Sequence, residues 1–330
     1  MLFRRARKNK IEITLAPEPK EVRPGQRELP VELLRKLEFR VLKRLDGFLF
    51  GDYTGFFYGP SLDLAEVREY QPGDEVRRID WNVTARTGKI HIRQYREEKE
   101  VTVWLVVDLS ASMRFGTRRV LKQEEALEFV GTAAAIVGRH GDKVGAIGFS
   151  EAGMRVIPPG TGRRQALRIL HELDGLLGPS KADRAQPSAP LSGSLEQALE
   201  YAARTLKRRT LLFVVSDFLS PNPEEPSWAQ GLRRLAYRHD VVAVRIFDPA
   251  EKELPRAGEL RMRDPESGEE FWIDTGDPRV RRAHAALVQA REAALERTLR
   301  AAQVDVLSLS TAQEIVEPLL KFTLRRRGRR

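Results

Sequence analysis

The sequence predicts an α/β fold of the doubly wound, Rossmann-like kind: a mainly parallel sheet with helices on both faces, plus a small N-terminal helix and strand region. Three observations carry this. After Glu100, short apolar runs alternate with segments of helical periodicity over some 210 residues, the pattern of strands joined by crossover helices. Polar residues cluster just after the apolar runs, at the carboxyl ends where open parallel sheets hold their ligands. A chain of 330 residues also exceeds the usual single-domain size, so one large domain with a smaller appendage is expected.

Residues 1–30 combine a basic start with Pro17, Pro19, Pro24 and Pro30 and read as a flexible tail. From Val31 to Leu45, the positions Leu33, Leu34, Leu37, Val41, Leu42 and Leu45 recur at helical spacing and stop before Gly47, predicting one amphipathic helix. In the segment REYQPGDEVRRIDWNVTARTGKIHIRQY, Pro72-Gly73-Asp74 marks a turn, and 89–95 alternates like a strand. Its charges, Arg68, Glu69, Asp74, Arg77, Arg78 and Asp80, are placed to pair among themselves. Trp81 and Tyr70 are expected to bury against the main domain. A structural clasp is the preferred reading of this segment, and a binding surface the alternative.

Strands are expected at 101–108, 143–149, 210–216, 241–247 and 304–308, and helices at 122–137, 163–177, 195–206, 229–237 and 279–302. Residues 254–275 break the alternation and read as an inserted hairpin around Pro265-Glu266-Ser267-Gly268. The resulting organisation is a tail (1–30), an N-terminal region (31–99), the α/β domain (100–312) and a C-terminal helix with a basic tail (313–330).

The net charge of +10 sits at the ends. Arg4, Arg5, Arg7, Lys8 and Lys10, with Lys321, Arg325, Arg326, Arg327, Arg329 and Arg330, occupy the first and last ten residues, which hold no acid. Such runs read as solvated tails, with nucleic-acid or anionic-surface binding as the lesser reading. There is no cysteine, so disulfides, thiolate metal sites and thiol nucleophiles are excluded. The start MLFRRARKNK lacks the apolar core of a signal peptide, and the longest uncharged apolar stretch, 129–138, is about half a membrane span. A cytoplasmic location without an integral membrane segment is the expectation.

The run VTVWLVV ends in Asp108-Leu109-Ser110-Ala111-Ser112, which puts one carboxylate and two hydroxyls on a strand-end loop. TLLFVVS ends in Asp217, and Ser194 opens the helix Leu195, Ala198, Leu199, Ala202, Leu206. In a right-handed doubly wound sheet these three loops converge. Two carboxylates and three hydroxyls without His or Cys select Mg²⁺, Mn²⁺ or Ca²⁺. The bland readings are a capped strand-end turn for Asp108, Ser110 and Ser112, a loop acid for Asp217, and a capping box with Gln197 for Ser194. His91, His140, His171, His239 and His284 are scattered without ligand spacing and read as surface or packing residues.

These three loops resemble the metal-ion-dependent adhesion site of von Willebrand factor type A domains. The resemblance implies that Asp108, Ser110 and Ser112 form the first loop and Asp217 the third. Ser194 stands where that family usually has Thr. The string REYQPGD…RIDW followed by VDLSASM is similar to the bacterial family called domain of unknown function 58, whose members join this segment to a type A domain and are often encoded beside MoxR-type AAA+ ATPases. It implies a non-catalytic adaptor that presents its ion to a protein partner's acidic side chain, the partner being a MoxR-type ATPase or its client. A metal-dependent phosphatase or hydrolase is the alternative; Ser110 stands where a D-x-D loop would have its second acid, and no phosphate-cradling glycine motif follows the first strand, so no nucleotide is expected.

Overall fold

The computed structural model describes Val31 and residues 66–71, 74, 79–94, 102–177, 193–263 and 270–328. The helix expected over 31–45 and the tail at 1–30 lie otherwise outside the described residues. The first unit is small. Strand β1 (Glu66–Glu69) pairs antiparallel with β2 (His91–Gln94), and helix α1 (Trp81–Thr87) lies between them in sequence. Asp80 caps α1, its Oδ1 accepting from the backbone N–H of Asn82 at 3.0 Å and of Val83 at 3.3 Å. Asp74 closes the expected turn by accepting from the Gln71 N–H, and Lys89 pairs with Glu69. Trp81 corrects the expectation of burial: as the first residue of α1 it stands 68% exposed, and the buried member of the pair Asp80–Trp81 is the capping acid.

The main unit is built on a six-stranded sheet of order β10-β7-β6-β3-β4-β5. Its strands are β3 (Thr102–Asp108), β4 (Lys143–Ser150), β5 (Gly153–Gly160), β6 (Leu211–Ser216), β7 (Asp240–Phe247) and β10 (Asp305–Ser310). All neighbours are parallel except β5, which turns back antiparallel on β4. The helices are α2 (Lys122–Arg139), α3 (Gly162–Asp174), α4 (Leu195–Thr205), α5 (Trp228–Arg238), α6 (Pro278–Ala301) and α7 (Val316–Gly328).

This is the doubly wound architecture predicted from the alternation. Each predicted strand and helix of the α/β domain is present within a few residues of its expected bounds. The hairpin of the 254–275 segment is also there, as β8 (Glu259–Arg263) and β9 (Glu270–Asp274). Strand β5 was not foreseen. Its sequence GMRVIPPG carries two prolines, and an edge strand tolerates them because one side of its backbone has no ladder to complete.

Period-2 alternation sorts the strand residues between two helical layers. Val103, Leu105 and Val107 of β3 pack in one core with α2, α3 and α7. Trp104 and Val106 pack in the other with α4, α5 and α6. The C-terminal segment also departs from a solvated tail. Arg326 ties α7 back to the sheet through ion pairs with Asp240 and Asp305. Among the described residues no helix is long and apolar enough to cross a membrane.

Phe213 and Phe129, both fully buried, meet edge to face with ring centroids 5.5 Å apart between β6 and α2. Phe213→Ala should therefore cost about 3–5 kcal/mol, read as a lowered midpoint in urea denaturation.

Candidate functional site

From β3 the chain passes through α2 to β4 on one side, and later returns to β6 on the other side of β3. The sheet's direction of winding thus reverses beside β3, and the carboxyl ends of β3 and β6 form the crevice where such folds bind ligands. Val107 lies opposite Val215, so Asp108 and Ser216 come next on the two strands and share a face.

Asp108 is 5% exposed. Its Oδ1 accepts from the Ser110 backbone N–H at 3.0 Å and from the Ser110 hydroxyl at 2.6 Å. Its Oδ2 accepts from the Ser216 hydroxyl at 2.6 Å. The Ser110 and Ser112 Oγ atoms are 3.3 Å apart. A 3₁₀ turn, Ala111–Arg114, follows, and Glu151 at the end of β4 anchors it by accepting from the Ala111 N–H and pairing with Arg114. Burial raises the Asp108 pKa to about 6, with the Asp217 charge adding to the shift and the serine hydrogen bonds opposing it.

Asp217 is one residue beyond the end of β6 and is also buried. The next residue, Phe218, has φ of 56°, a left-handed conformation that strains a side chain this size. It is held by its N–H bond to Ser216 Oγ at 3.0 Å and by edge-to-face packing on Trp228. That sharp turn fixes Asp217, whose Oδ1 accepts from the Leu219 N–H.

The other oxygen, Oδ2, lies 2.7 Å from Nζ of Lys122, a lysine with 0% exposure. The same ammonium lies 2.6 Å from Glu251 Oε1, on the 3₁₀ turn after β7. Burial opposes the charge on Lys122, but Asp217 and Glu251 outweigh it and hold its pKa above the ordinary lysine value.

Ser194 stands beside this edge, because the Gly193 N–H donates to the Ser150 carbonyl at the end of β4. A Cβ on Gly193 would lie 2.8 Å from the Phe149 Cβ, so only glycine permits that approach. Ser194 is exposed, and its hydroxyl accepts from the Gln197 N–H at 3.3 Å as the cap of α4. The reciprocal half of the expected capping box is missing: Gln197 Oε1 is buried with no partner among the described residues. The structure thus gathers Asp108, Ser110 and Ser112 into one hydrogen-bonded group, sets Asp217 beside it, and gives Ser194 to capping.

A further buried carboxylate organises the loops around the site. Asp248, after β7, accepts from the Thr117 N–H at 2.7 Å, the Thr117 hydroxyl at 2.6 Å, the Thr311 hydroxyl at 2.6 Å and the Ala250 N–H at 2.8 Å. Burial alone would raise its pKa; these bonds outweigh that and lower it.

A model of the family described as protein of unknown function DUF58 matches residues 66–294. The chain belongs to the DUF58 family. A mycobacterial relative, the uncharacterised protein Rv1480 of Mycobacterium tuberculosis, is 37% identical to this DUF58 chain over 298 residues, 89% of either chain. The uncharacterised protein MAV169 of Mycobacterium avium is 33% identical over 147 residues, covering 43% of the DUF58 chain and 83% of its own. Similar solved structures include BatB from Bacteroides thetaiotaomicron, with 13% identity, a TM-score of 0.40, and 69% and 99% of the two chains covered. Another is the von Willebrand type A domain of SpRpn10, with 12% identity, a TM-score of 0.34, and 67% and 93% covered.

Sequence reasoning did not find Lys122, Glu251, Ser216 or Asp248. Lys122 did leave a trace: it is the first residue of a helix, where the macrodipole disfavours a cation. Glu251 and Asp248 are ordinary loop acids in sequence, brought to the site only by β7 pairing beside β6.

Two outcomes follow. Asp248→Ala removes the acceptor shared by three loops and should destabilise the fold by about 2–4 kcal/mol in urea denaturation. Glu125, fully buried in α2, has its pKa raised to about 8 by burial, with Glu128 adding and Arg119 opposing. Its folded-state pKa lies above the unfolded one, so its stabilising protonation is lost as pH rises from the ordinary glutamate range through about 8. Thermal melts should show Glu125→Gln gaining on wild type between about pH 5 and pH 9; a constant difference would contradict a buried neutral acid.

Proposed function

We propose that the chain is a protein-interaction module that holds one divalent cation, Mg²⁺ by preference and Mn²⁺ or Ca²⁺ as substitutes, and presents it to an acidic side chain of a partner. The observation that carries this reading is the meeting of Asp108, Ser110 and Ser112 with Asp217 where the winding of the sheet reverses. The donor chemistry fits a hard ion: all these side chains offer oxygen, and none offers nitrogen or sulfur. Burial first and the Asp217 charge second raise the Asp108 pKa, and a divalent ion between the two carboxylates would offset both.

In this reading Asp108, Ser110 and Ser112 would hold the ion, and Asp217 and Ser194 would stand around it. Among the described residues no three acidic or histidine side chains are grouped to hold an ion. The serine hydroxyls would share its coordination, and a partner's carboxylate would fill the position left open. The bound ion would supply a Lewis-acidic position for that carboxylate. By the family resemblance, the partner is a MoxR-type AAA+ ATPase or the client that it remodels. Binding is favoured over hydrolysis because Ser110, at the position where a phosphotransfer loop would carry its second acid, is engaged on Asp108.

Calorimetric titration of Mg²⁺, Mn²⁺ and Ca²⁺ into metal-stripped protein tests the reading. Wild type should take up one ion, while Ser110→Ala/Ser112→Ala and Asp108→Ala/Asp217→Ala, checked for folding by circular dichroism, should lose about tenfold or more in affinity. Binding by the folded variants as tight as by wild type would overturn it.

A further inference from the structure

Lysine side chains ordinarily keep the ammonium in water and bury only the stem. Lys122 does the reverse, with no exposed surface and its Nζ between Asp217 Oδ2 at 2.7 Å and Glu251 Oε1 at 2.6 Å. Its position on the first turn of α2 adds the unfavourable field of the helix dipole. A buried cation in such a place persists only if the carboxylates around it need one.

Two acids meet it here: Asp217 and Glu251 flank a single positive charge and come from different strand ends, β6 and β7, while the Asp108 carboxylate at the end of β3 feels the Asp217 charge. The ammonium is a compact point charge with three donors, so it can stand among several carboxylates much as a small metal ion does. It reaches them from the helix that follows the Asp108–Ser112 loop.

We infer that Lys122 is a tethered cation that competes with the divalent ion for Asp217 and so sets the metal affinity of this site. The inference rests on the metal-site reading above. With the ammonium on Asp217, the first loop has no free third-loop carboxylate to offer. Repulsion between two nearby positive charges further weakens the divalent ion. Metal uptake is therefore weak in the isolated chain, and a partner's carboxylate has most to add. Removal of the ammonium should produce a tight site.

The test is calorimetric titration of Mn²⁺ into the full chain, metal-stripped, as wild type, Lys122→Met and Lys122→Met/Glu251→Gln. The double variant removes one partly buried carboxylate together with the ammonium. It keeps the charge balance of the site and carries the test if the single variant does not fold by circular dichroism. Both variants should bind Mn²⁺ tighter than wild type by roughly tenfold or more, and adding Ser110→Ala/Ser112→Ala should abolish that gain. Tight uptake by the variants with none measurable in wild type would equally support the inference. One ion bound by wild type, with equal or weaker binding in the variants, would overturn the inference and leave the metal reading standing. No uptake by any of the three would overturn both.

Discussion

A carboxylate placed at the end of a wholly buried strand governs this structure. Asp108 ends a β3 whose preceding residues are almost entirely packed between two helical layers, so its charge has little water to lean on. The surroundings are explained by that constraint. The Ser110 backbone and hydroxyl turn back onto one oxygen, the Ser216 hydroxyl reaches across from β6 to the other, and the next acid along, Asp217, has its own cation within the fold. Removal of any one of these would leave a buried charge less well met, so the loops after β3 and β6 form one unit rather than two neighbours.

The fold was legible because its signal is periodic. Buried parallel strands must be apolar along their whole length, and LLFVVS or TVWLVV can hardly be read otherwise. Strand β5 escaped because GMRVIPPG has neither an apolar run nor clean alternation; it is held by pairing with β4 rather than by its own pattern. The misplaced burial of Trp81 has a related cause. The size of an indole argues for the core, yet Asp80 caps α1 and directs the first helical residue outward.

The site was legible in its first loop and less so elsewhere. D-x-S-x-S keeps its acid and hydroxyls within five residues, so local sequence suffices to describe their meeting. The role of Ser194 divided between cap and ligand from the start, and its hydroxyl serves as a cap. Lys122, Glu251 and Asp248 belong to the site through tertiary pairing across more than a hundred residues of chain, and no spacing rule connects them. Buried ion pairs of this kind are nearly invisible in one sequence, because a lysine or glutamate is read by default as a solvated side chain.

The sorting of the strand residues between two layers has a mechanical side. Asp108 and Ser216 lie on the face toward α4, whereas Asp217 is joined to the first residue of α2, on the opposite layer. The site therefore straddles the sheet. Helix α2 is an 18-residue rod, roughly 27 Å long at the usual rise, and its far end reaches the turn that leads into β4. A force that draws Lys122 along the helix axis loads that whole rod, so the crevice and the opposite rim of the sheet share a single stiff connection.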